Sequence, residues 1–140
     1  MSTATLIVDL DLDRISKRLG ESASEQLVWQ AAERIANAIR TDGLFGTFGP
    51  GRFKVSLYKR ADESAVDGLS DRLHSTLRAP FDIAGNDVFM SASIGVAMGH
   101  LGDDLTVAAT KAAYHVKRNG GDATFVIRTG VPDEQPQQAA

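Results

Sequence analysis

The stretch that decides the fold is Phe45-Gly-Thr-Phe-Gly-Pro-Gly-Arg-Phe-Lys-Val-Ser-Leu-Tyr58. Phe53, Val55 and Leu57 alternate with polar residues, which is typical of a strand with one buried face. A second apolar run precedes the turn segment Gly49-Pro50-Gly51-Arg52. Glycine tolerates the positive φ angles of a tight turn and proline fixes its own φ, so this segment suits a chain reversal. The stretch therefore predicts a β-hairpin.

The chain before the hairpin begins with a predicted strand. Leu6-Ile7-Val8 is typical of a buried strand, and Asp9, Asp11 and Asp13 then alternate with leucines. If the strand stays extended, the three carboxylates lie on one side of it. Residues 14–20 suit a short helical turn that ends at a glycine.

A long helix is predicted next. Apolar residues recur at helical spacing from Leu27 to Ile39, and Ser22 or Ser24 is a suitable N-cap. We expect this helix to run to about Arg40 and to end before Gly43.

The chain after the hairpin predicts two more helices and three more strands. A helix is expected to begin at Asp62-Glu63 and to end before Pro80. A hairpin follows, with its turn at Gly85-Asn86 and a long second strand at Val88–Met98. The last elements expected are a helix from Asp103-Asp104 to Lys117-Arg118 and a strand at Thr124–Ile127. Helices packed on a mostly antiparallel sheet make an α+β fold. Residues 129–140 are expected to be a disordered tail, which leaves 1–128 as the folded domain.

The aromatic residues fit two interpretations. Phe45, Phe48 and Phe53 suit the core, although a partly exposed pair of them near the turn would form an interaction patch. Trp29 suits either the core or an interface.

Composition limits the function classes. A chain of 140 residues suits one domain, and its formal charge of −3, from 15 basic and 18 acidic residues, provides no basic stripe for nucleic acid. The chain contains 0 cysteines, which excludes thiol catalysis and disulfides. We find no signal-peptide pattern and no run of membrane-spanning length, so we expect a cytoplasmic protein without a membrane partner.

Several separated motifs point to one family. They are Val8-Asp9-Leu10-Asp11 with the following residues to Gly20, Ser24-Glu25-Gln26-Leu27-Val28, the hairpin, Ser91-Ala92-Ser93-Ile94-Gly95-Val96-Ala97, and residues 109–122. Together these motifs resemble the GGDEF domain, the diguanylate cyclase family. The resemblance implies a nucleotidyl-cyclase-like fold, with about five main strands and a small hairpin flanked by helices.

The resemblance also locates a signature that differs at its acidic positions. The family reads Gly-Gly-Asp/Glu-Glu-Phe where this chain has Gly49, Pro50, Gly51, Arg52 and Phe53. Both acidic positions are therefore lost, and Pro50 lacks a backbone N–H for a phosphate. Arg52 is interpreted as a surface arginine or as a direct phosphate contact.

A metal site of the family type is not expected. Asp9 and Asp11 are then vestigial metal ligands. Asp9 aligns with the first metal carboxylate if one residue is deleted after Asp11, and Asp11 is the alternative if the deletion is placed differently. No cofactor is expected, and Mg²⁺ is implied only if residual GTP binding exists.

Of the remaining family positions, those at Ser16 and Glu25 are changed, whereas the family's lysine is retained as Lys117. The resemblance aligns guanine contacts with Ser16 and Glu25 and a triphosphate contact with Lys117. Lys117 alone is read as a cation near a helix C-terminus. Arg40 and Asp42 are the residual counterparts of an inhibitory product site.

Three functions follow in order of preference. The first is a catalytically inactive regulatory or scaffolding domain in cyclic di-GMP signalling that binds a protein partner or itself. The alternative is a non-catalytic receptor for GTP or cyclic di-GMP, and the third is an active diguanylate cyclase.

Overall fold

The computed structural model describes residues 2–100 and 102–129. Its elements in chain order are β1 Ser2–Leu10, α1 Leu12–Leu19, α2 Glu21–Ile39, β2 Gly43–Thr47, β3 Arg52–Leu57, α3 Glu63–Arg78, β4 Phe81–Ile83, β5 Asn86–Val88, β6 Ala92–His100, α4 Thr106–Arg118 and β7 Ala123–Arg128. The predicted α+β class and the hairpin at β2 and β3 are confirmed. The expected disorder of residues 130–140 lies outside the described residues, while Thr129 still donates its N–H to the carbonyl of Met98 at 2.8 Å.

One five-stranded sheet organises the molecule. Its strand order is β2-β3-β1-β6-β7, and β4 with β5 forms a separate two-stranded sheet. Neighbouring strands are antiparallel except β6 and β7, which are parallel. The predicted mostly antiparallel sheet with a small hairpin is therefore confirmed.

Helices cover both faces of this sheet. Leu6 and Val8 of β1 join the large core that includes residues of α1, α2 and α3, whereas Ile7 joins a smaller core with Ala109 and Ala113 of α4. Because β1 is buried on both faces, its sequence is a continuous apolar run and not an alternating one.

A glycine allows α4 to lie directly on β6. A Cβ atom at Gly95 would lie 2.1 Å from the backbone N of Ala113 and 2.2 Å from the backbone O of Ala109. Only glycine fits at this contact, since real Cβ atoms do not approach backbone this closely.

The region after α3 corrects two predictions. The expected continuous strand Val88–Met98 is wrong, because β5 ends at Val88 and β6 begins at Ala92. The turn between β4 and β5 lies at Ala84 and Gly85, which both have positive φ, so Asn86 already belongs to β5.

Two predictions about the start of the chain are also wrong. β1 ends at Leu10, so Asp11 and Asp13 do not lie on a strand with Asp9; Asp11 precedes α1 and Asp13 lies in its first turn. The N-cap of α2 is Gly20, not Ser22 or Ser24. The predicted end of α2 is confirmed, because the helix ends at Ile39 with Arg40 as its C-cap, before Gly43.

The start of α4 lies later than predicted. The helix begins at Thr106, whereas Asp103 and Asp104 precede it. The Asp104 carboxylate accepts a hydrogen bond from the Thr106 N–H at 3.1 Å, so it satisfies a donor near the helix start from a position outside it.

Arg34 joins α2 to the end of α3, a contact that no local pattern indicates. Its guanidinium donates to the carbonyls of Thr76 and Ala79 at 2.7 Å and of Pro80 at 2.5 Å. The same group lies 3.7 Å from the centroid of the Phe81 ring. These contacts satisfy carbonyls that the end of α3 leaves without helical partners.

His74 is a buried titratable group of the core. Its Nε2 lies 2.8 Å from Thr124 Oγ1, and its Nδ1 has no hydrogen-bond partner among the described residues. Burial lowers the pKa of His74 below its usual value, and Arg78 acts in the same direction, while Asp122 and Asp71 oppose the shift. The folded state therefore favours the neutral imidazole.

We expect stability to fall as the pH drops below the ordinary histidine pKa of about 6.5, because the unfolded chain then binds a proton that the folded one resists. Urea unfolding at pH 7.5 and at pH 5.5 measures this loss. His74→Gln should reduce the loss, whereas His100→Gln, at an exposed histidine, should leave it unchanged. Equal losses in wild type and His74→Gln would contradict this role of His74.

Candidate functional site

The candidate site forms where the end of β1 meets the turn of the β2–β3 hairpin. Asp9 pairs with Arg52 in the register of β1 and β3, and the N–H of Leu10 donates to the carbonyl of Gly51 at 2.8 Å. Within the turn, Phe48 N–H donates to the Arg52 carbonyl at 2.8 Å. The sheet therefore fixes the turn beside Asp9.

Asp9 is engaged by a cation on each side. Its side chain is only 10% exposed, with Oδ2 at 3.4 Å from Arg52 Nε and Oδ1 at 3.6 Å from Lys117 Nζ. Arg52 comes from the hairpin and Lys117 from the last turn of α4. Lys117 is thus more than a cation near a helix end, because it pairs with the site carboxylate.

Burial and charge act on Asp9 in opposite directions. Burial raises the pKa of the Asp9 carboxyl above its usual value, and the Lys117 and Arg52 cations offset part of this rise. Asp11 adds a smaller contribution that also raises the pKa. A buried carboxyl held between cations near the end of the central strand is characteristic of a functional position.

The residues present do not fit a divalent-metal site of the kind that the resemblance implies. In the parts of the chain that the structure describes, no three His, Asp or Glu side chains lie together in a way that could hold a metal. Asp11, the second vestigial ligand, pairs with Arg14 at 3.2 Å. Two unit positive charges about 4 Å apart repel each other by roughly 4 kcal/mol at an effective dielectric of about 20. The Arg52 and Lys117 cations therefore oppose a metal ion at Asp9.

The backbone of the turn also disfavours a side chain at position 51. Gly49 and Gly51 have φ angles of 104° and 67°, which confirms the predicted use of glycine in the turn. A Cβ atom at Gly51 would lie 3.0 Å from Cδ2 and 3.1 Å from Cβ of Leu12. A residue with a carboxylate at this position must therefore accept both a left-handed backbone and a close contact. Pro50 is exposed at the tip, and Phe53 is buried in the core.

The two predicted base contacts lie in different surroundings. Ser16 Oγ lies 2.5 Å from Ser24 Oγ, and Ser24 is buried, so the Ser16 hydroxyl already has a partner. Glu25 is exposed on α2. Ser24 was expected as a helix cap and proves to join α2 to α1.

The predicted product-site pair is not brought together around a cavity. Asp42 lines a cavity of about 180 Å³ together with Arg60 and Arg72, whereas Arg40 does not line it. Arg40 is the exposed C-cap of α2, with a φ of 59°. The arginines beside Asp42 come from the segment before α3 and from α3 itself, and sequence motifs did not indicate them.

A large cavity lies away from Asp9. It measures about 520 Å³ and opens between α1 and the β4–β5 hairpin, with Arg14, Leu19 and Phe89 among its lining residues. Asp9, Arg52 and Lys117 do not line it.

The exposed large apolar residues include two on β2 and one on α2. Phe45 is 36% exposed and lies 6.2 Å from the ring centroid of Phe53, and its neighbour Leu44 is 66% exposed. Trp29 is 75% exposed, so of its two interpretations the core is wrong, and the interface stays a prediction. Phe48 is partly buried against the smaller core under α4.

No helix in the part of the chain that the structure describes is both long and apolar enough to cross a lipid bilayer.

Comparison with known proteins gives one consistent family. The family described as "Diguanylate cyclase, GGDEF domain" matches residues 1–123. Uncharacterized protein Rv1354c of Mycobacterium tuberculosis is 32% identical over 129 residues, which cover 89% of this chain and 21% of that protein. The bifunctional diguanylate cyclase/cyclic di-GMP phosphodiesterase MucR of Pseudomonas aeruginosa is 29% identical, with 84% and 18% covered. The chain spans about a fifth of the length of these curated relatives.

Solved structures agree with this family. The GGDEF domain of PA1120 (YfiN or TpbB) from Pseudomonas aeruginosa superposes with a TM-score of 0.83 at 26% identity, covering 92% of this chain and 84% of that chain. Diguanylate cyclase SiaD, solved with its activator SiaC, shares the fold with a TM-score of 0.81 at 19% identity, covering 89% and 50%. By its motifs, its fold and its relatives, this chain belongs to the GGDEF domain family.

Proposed function

We propose that this chain is a catalytically inactive GGDEF module of cyclic di-GMP signalling that acts through protein contacts. The observation that carries the proposal is the pairing of both Asp9 carboxylate oxygens with Arg52 and Lys117. The names of MucR and of the cyclic di-GMP phosphodiesterase PdeR, 29% identical to this chain, support the choice of signalling system.

The cyclase reaction depends on a divalent metal ion. Joining two GTP molecules requires a divalent ion that neutralises the triphosphate and activates the attacking hydroxyl. Aligned on the family motif, Gly51 and Arg52 stand where the signature carboxylates stand. Arg52 places a cation beside Asp9 where the family has a carboxylate, which disfavours a divalent ion, and the contact of position 51 with Leu12 works against a carboxylate there.

The surface supports a role in protein contacts. Trp29, Leu44 and Phe89 are at least 60% exposed. Large apolar and aromatic side chains are enriched in interfaces relative to the rest of a protein surface. The partner is either another protein or a further copy of this chain.

A second candidate function is a receptor for GTP or cyclic di-GMP without turnover. The side chains of Arg52 and Lys117 are 42% and 46% exposed, so both cations face solvent as well as Asp9. Phosphate oxygens pair well with such groups. In this case the ligand would compete with Asp9 for the two cations and would not require a metal.

One pair of assays tests both functions. The protein is incubated with GTP and Mg²⁺ or Mn²⁺, and pyrophosphate and cyclic di-GMP are measured by chromatography; we expect neither product. Calorimetric titration with GTP and with cyclic di-GMP, without metal, then tests for a receptor. Saturable binding that Lys117→Ala weakens about tenfold supports the second candidate. Metal-dependent formation of cyclic di-GMP that Asp9→Asn abolishes would overturn both.

A further inference from the structure

β2 is an edge strand whose outward backbone groups can be identified. It pairs only with β3 in the five-stranded sheet. The N–H of Phe48 bonds to Arg52, so by antiparallel alternation Gly46 and Leu44 also bond toward β3. The N–H and C=O groups of the three intervening residues, Gly43, Phe45 and Thr47, therefore point away from the sheet.

The sequence of β2 lacks the features that commonly prevent an edge strand from pairing with another chain. Gly43-Leu44-Phe45-Gly46-Thr47 contains no charged residue and no proline, which are the features that natural sheets use to block edge pairing. Leu44 and Phe45 are exposed on opposite faces of the strand. The other edge strand, β7, ends in a charged residue, Arg128, that forms an ion pair with Glu63.

We propose that β2 pairs antiparallel with β2 of a second copy of this chain, around a two-fold axis at Phe45, to give one sheet across the dimer. This proposal rests on the proposed function and names its partner. In this register Phe45 faces Phe45 of the second copy and Gly43 faces Thr47, so all outward groups of both strands are used. The pairing forms about six backbone hydrogen bonds.

Side chains and charges fit the same register. Leu44 of one copy lies opposite Gly46 of the other, and the space where Gly46 would carry a Cβ is open. The nearest charged residue before each strand is Asp42, and the nearest after it is Arg52. Antiparallel pairing places Asp42 of one copy opposite Phe48 of the other, so no like charges face each other along the paired strands.

The second copy in this dimer would also contact the hairpin that carries Arg52 of the candidate site. The turn that holds Arg52 against Asp9 belongs to the hairpin whose first strand is β2. A second copy on β2 therefore contacts the segment that positions the site cation.

Sedimentation velocity over a micromolar concentration series tests the proposal. We expect a concentration-dependent dimer that Leu44→Lys and Phe45→Lys each convert to monomer. Val107→Lys is the matched control, because Val107 is 62% exposed and lies on α4, outside the paired strand. A wild-type monomer at every concentration, or equal dimerisation of Leu44→Lys and Val107→Lys, would overturn the proposal.

Cross-linking adds a test that does not depend on affinity alone. The sequence contains 0 cysteines, so an introduced thiol reports on one position. Residues directly opposite in a hydrogen-bonded antiparallel pair have Cα atoms about 5.5 Å apart, which a disulfide can span. Phe45→Cys should form a disulfide-linked dimer on mild oxidation, and Val107→Cys should not.

Oligomers larger than a dimer would indicate a different pairing of strands. Pairing of β2 with β7 of another copy would not close and would give open polymers, which would overturn the two-fold dimer. A chain that does not dimerise would overturn the β2 pairing but not the proposed lack of cyclase activity, which the GTP turnover assay tests separately.

Discussion

Gly95→Ala is expected to destabilise the domain by about 3 kcal/mol or more, because a Cβ atom there would collide with backbone atoms of α4. The atoms in the way, Ala113 N and Ala109 O, cannot move without displacing the helix from β6. Folded domains are stable by only about 5–15 kcal/mol, so this loss is a large share of the total. Chemical unfolding followed by circular dichroism measures the shift in midpoint.

Gly68→Ala provides the matched control. Gly68 lies inside α3, and a Cβ atom there would meet only Arg72 Nη1, at 3.7 Å. Alanine is the better helix former, so we expect this change to stabilise by roughly 0.5–1 kcal/mol. If both substitutions had the same small effect, the close contact between α4 and β6 would be wrong.

Arg52→Glu is expected to create metal binding where the wild-type chain has little. Position 52 faces Asp9 across β1 and β3, so the change removes a cation and places a second carboxylate beside the first. Two adjacent carboxylates provide the oxygen ligands that Mg²⁺ and Mn²⁺ prefer. We expect Mn²⁺ affinity, measured by electron paramagnetic resonance of the free ion, to rise about tenfold or more.

Thermal stability provides a second readout for Arg52→Glu. Without metal, two close carboxylates repel, and added Mn²⁺ should raise the melting temperature of the variant because it binds only the folded state. Lys59→Glu makes the same charge change at an exposed position outside the site and should change neither quantity. Equal Mn²⁺ affinity in the two variants would show that Arg52 does not control the site.

Local signals explain which parts of the fold were predictable. α3 begins at its predicted cap, and the Asp62 carboxylate accepts the Ala65 N–H at 2.8 Å, because a cap and an apolar stripe are encoded within one short segment. The hairpin at β2 and β3 followed from glycine and alternation in the same way. The strand after Val88 was misjudged because period-two alternation persists through Phe89–Ser91, where the chain leaves one sheet for the other.

The candidate site depended on contacts between distant segments. The resemblance singled out Asp9, Arg52 and Lys117 separately, yet their pairing requires β1, the hairpin and α4 to meet at one end of the sheet. Ser24 was interpreted as a cap because a serine near a helix start suits that role; its contact with Ser16 depends on how α1 packs on α2. Arg34 carried no motif, because the carbonyls that it binds become available only where α3 ends beside α2.

We propose that Arg52 and Lys117 occupy the Asp9 carboxylate and exclude a divalent metal. Titration of wild-type protein with Mn²⁺ tests this exclusion, with the paramagnetic resonance signal of the free ion as readout and Arg52→Glu and Asp9→Asn measured alongside. We expect no saturable binding to wild type at micromolar Mn²⁺ and clear binding to Arg52→Glu. Stoichiometric binding to wild type that Asp9→Asn abolishes would contradict it.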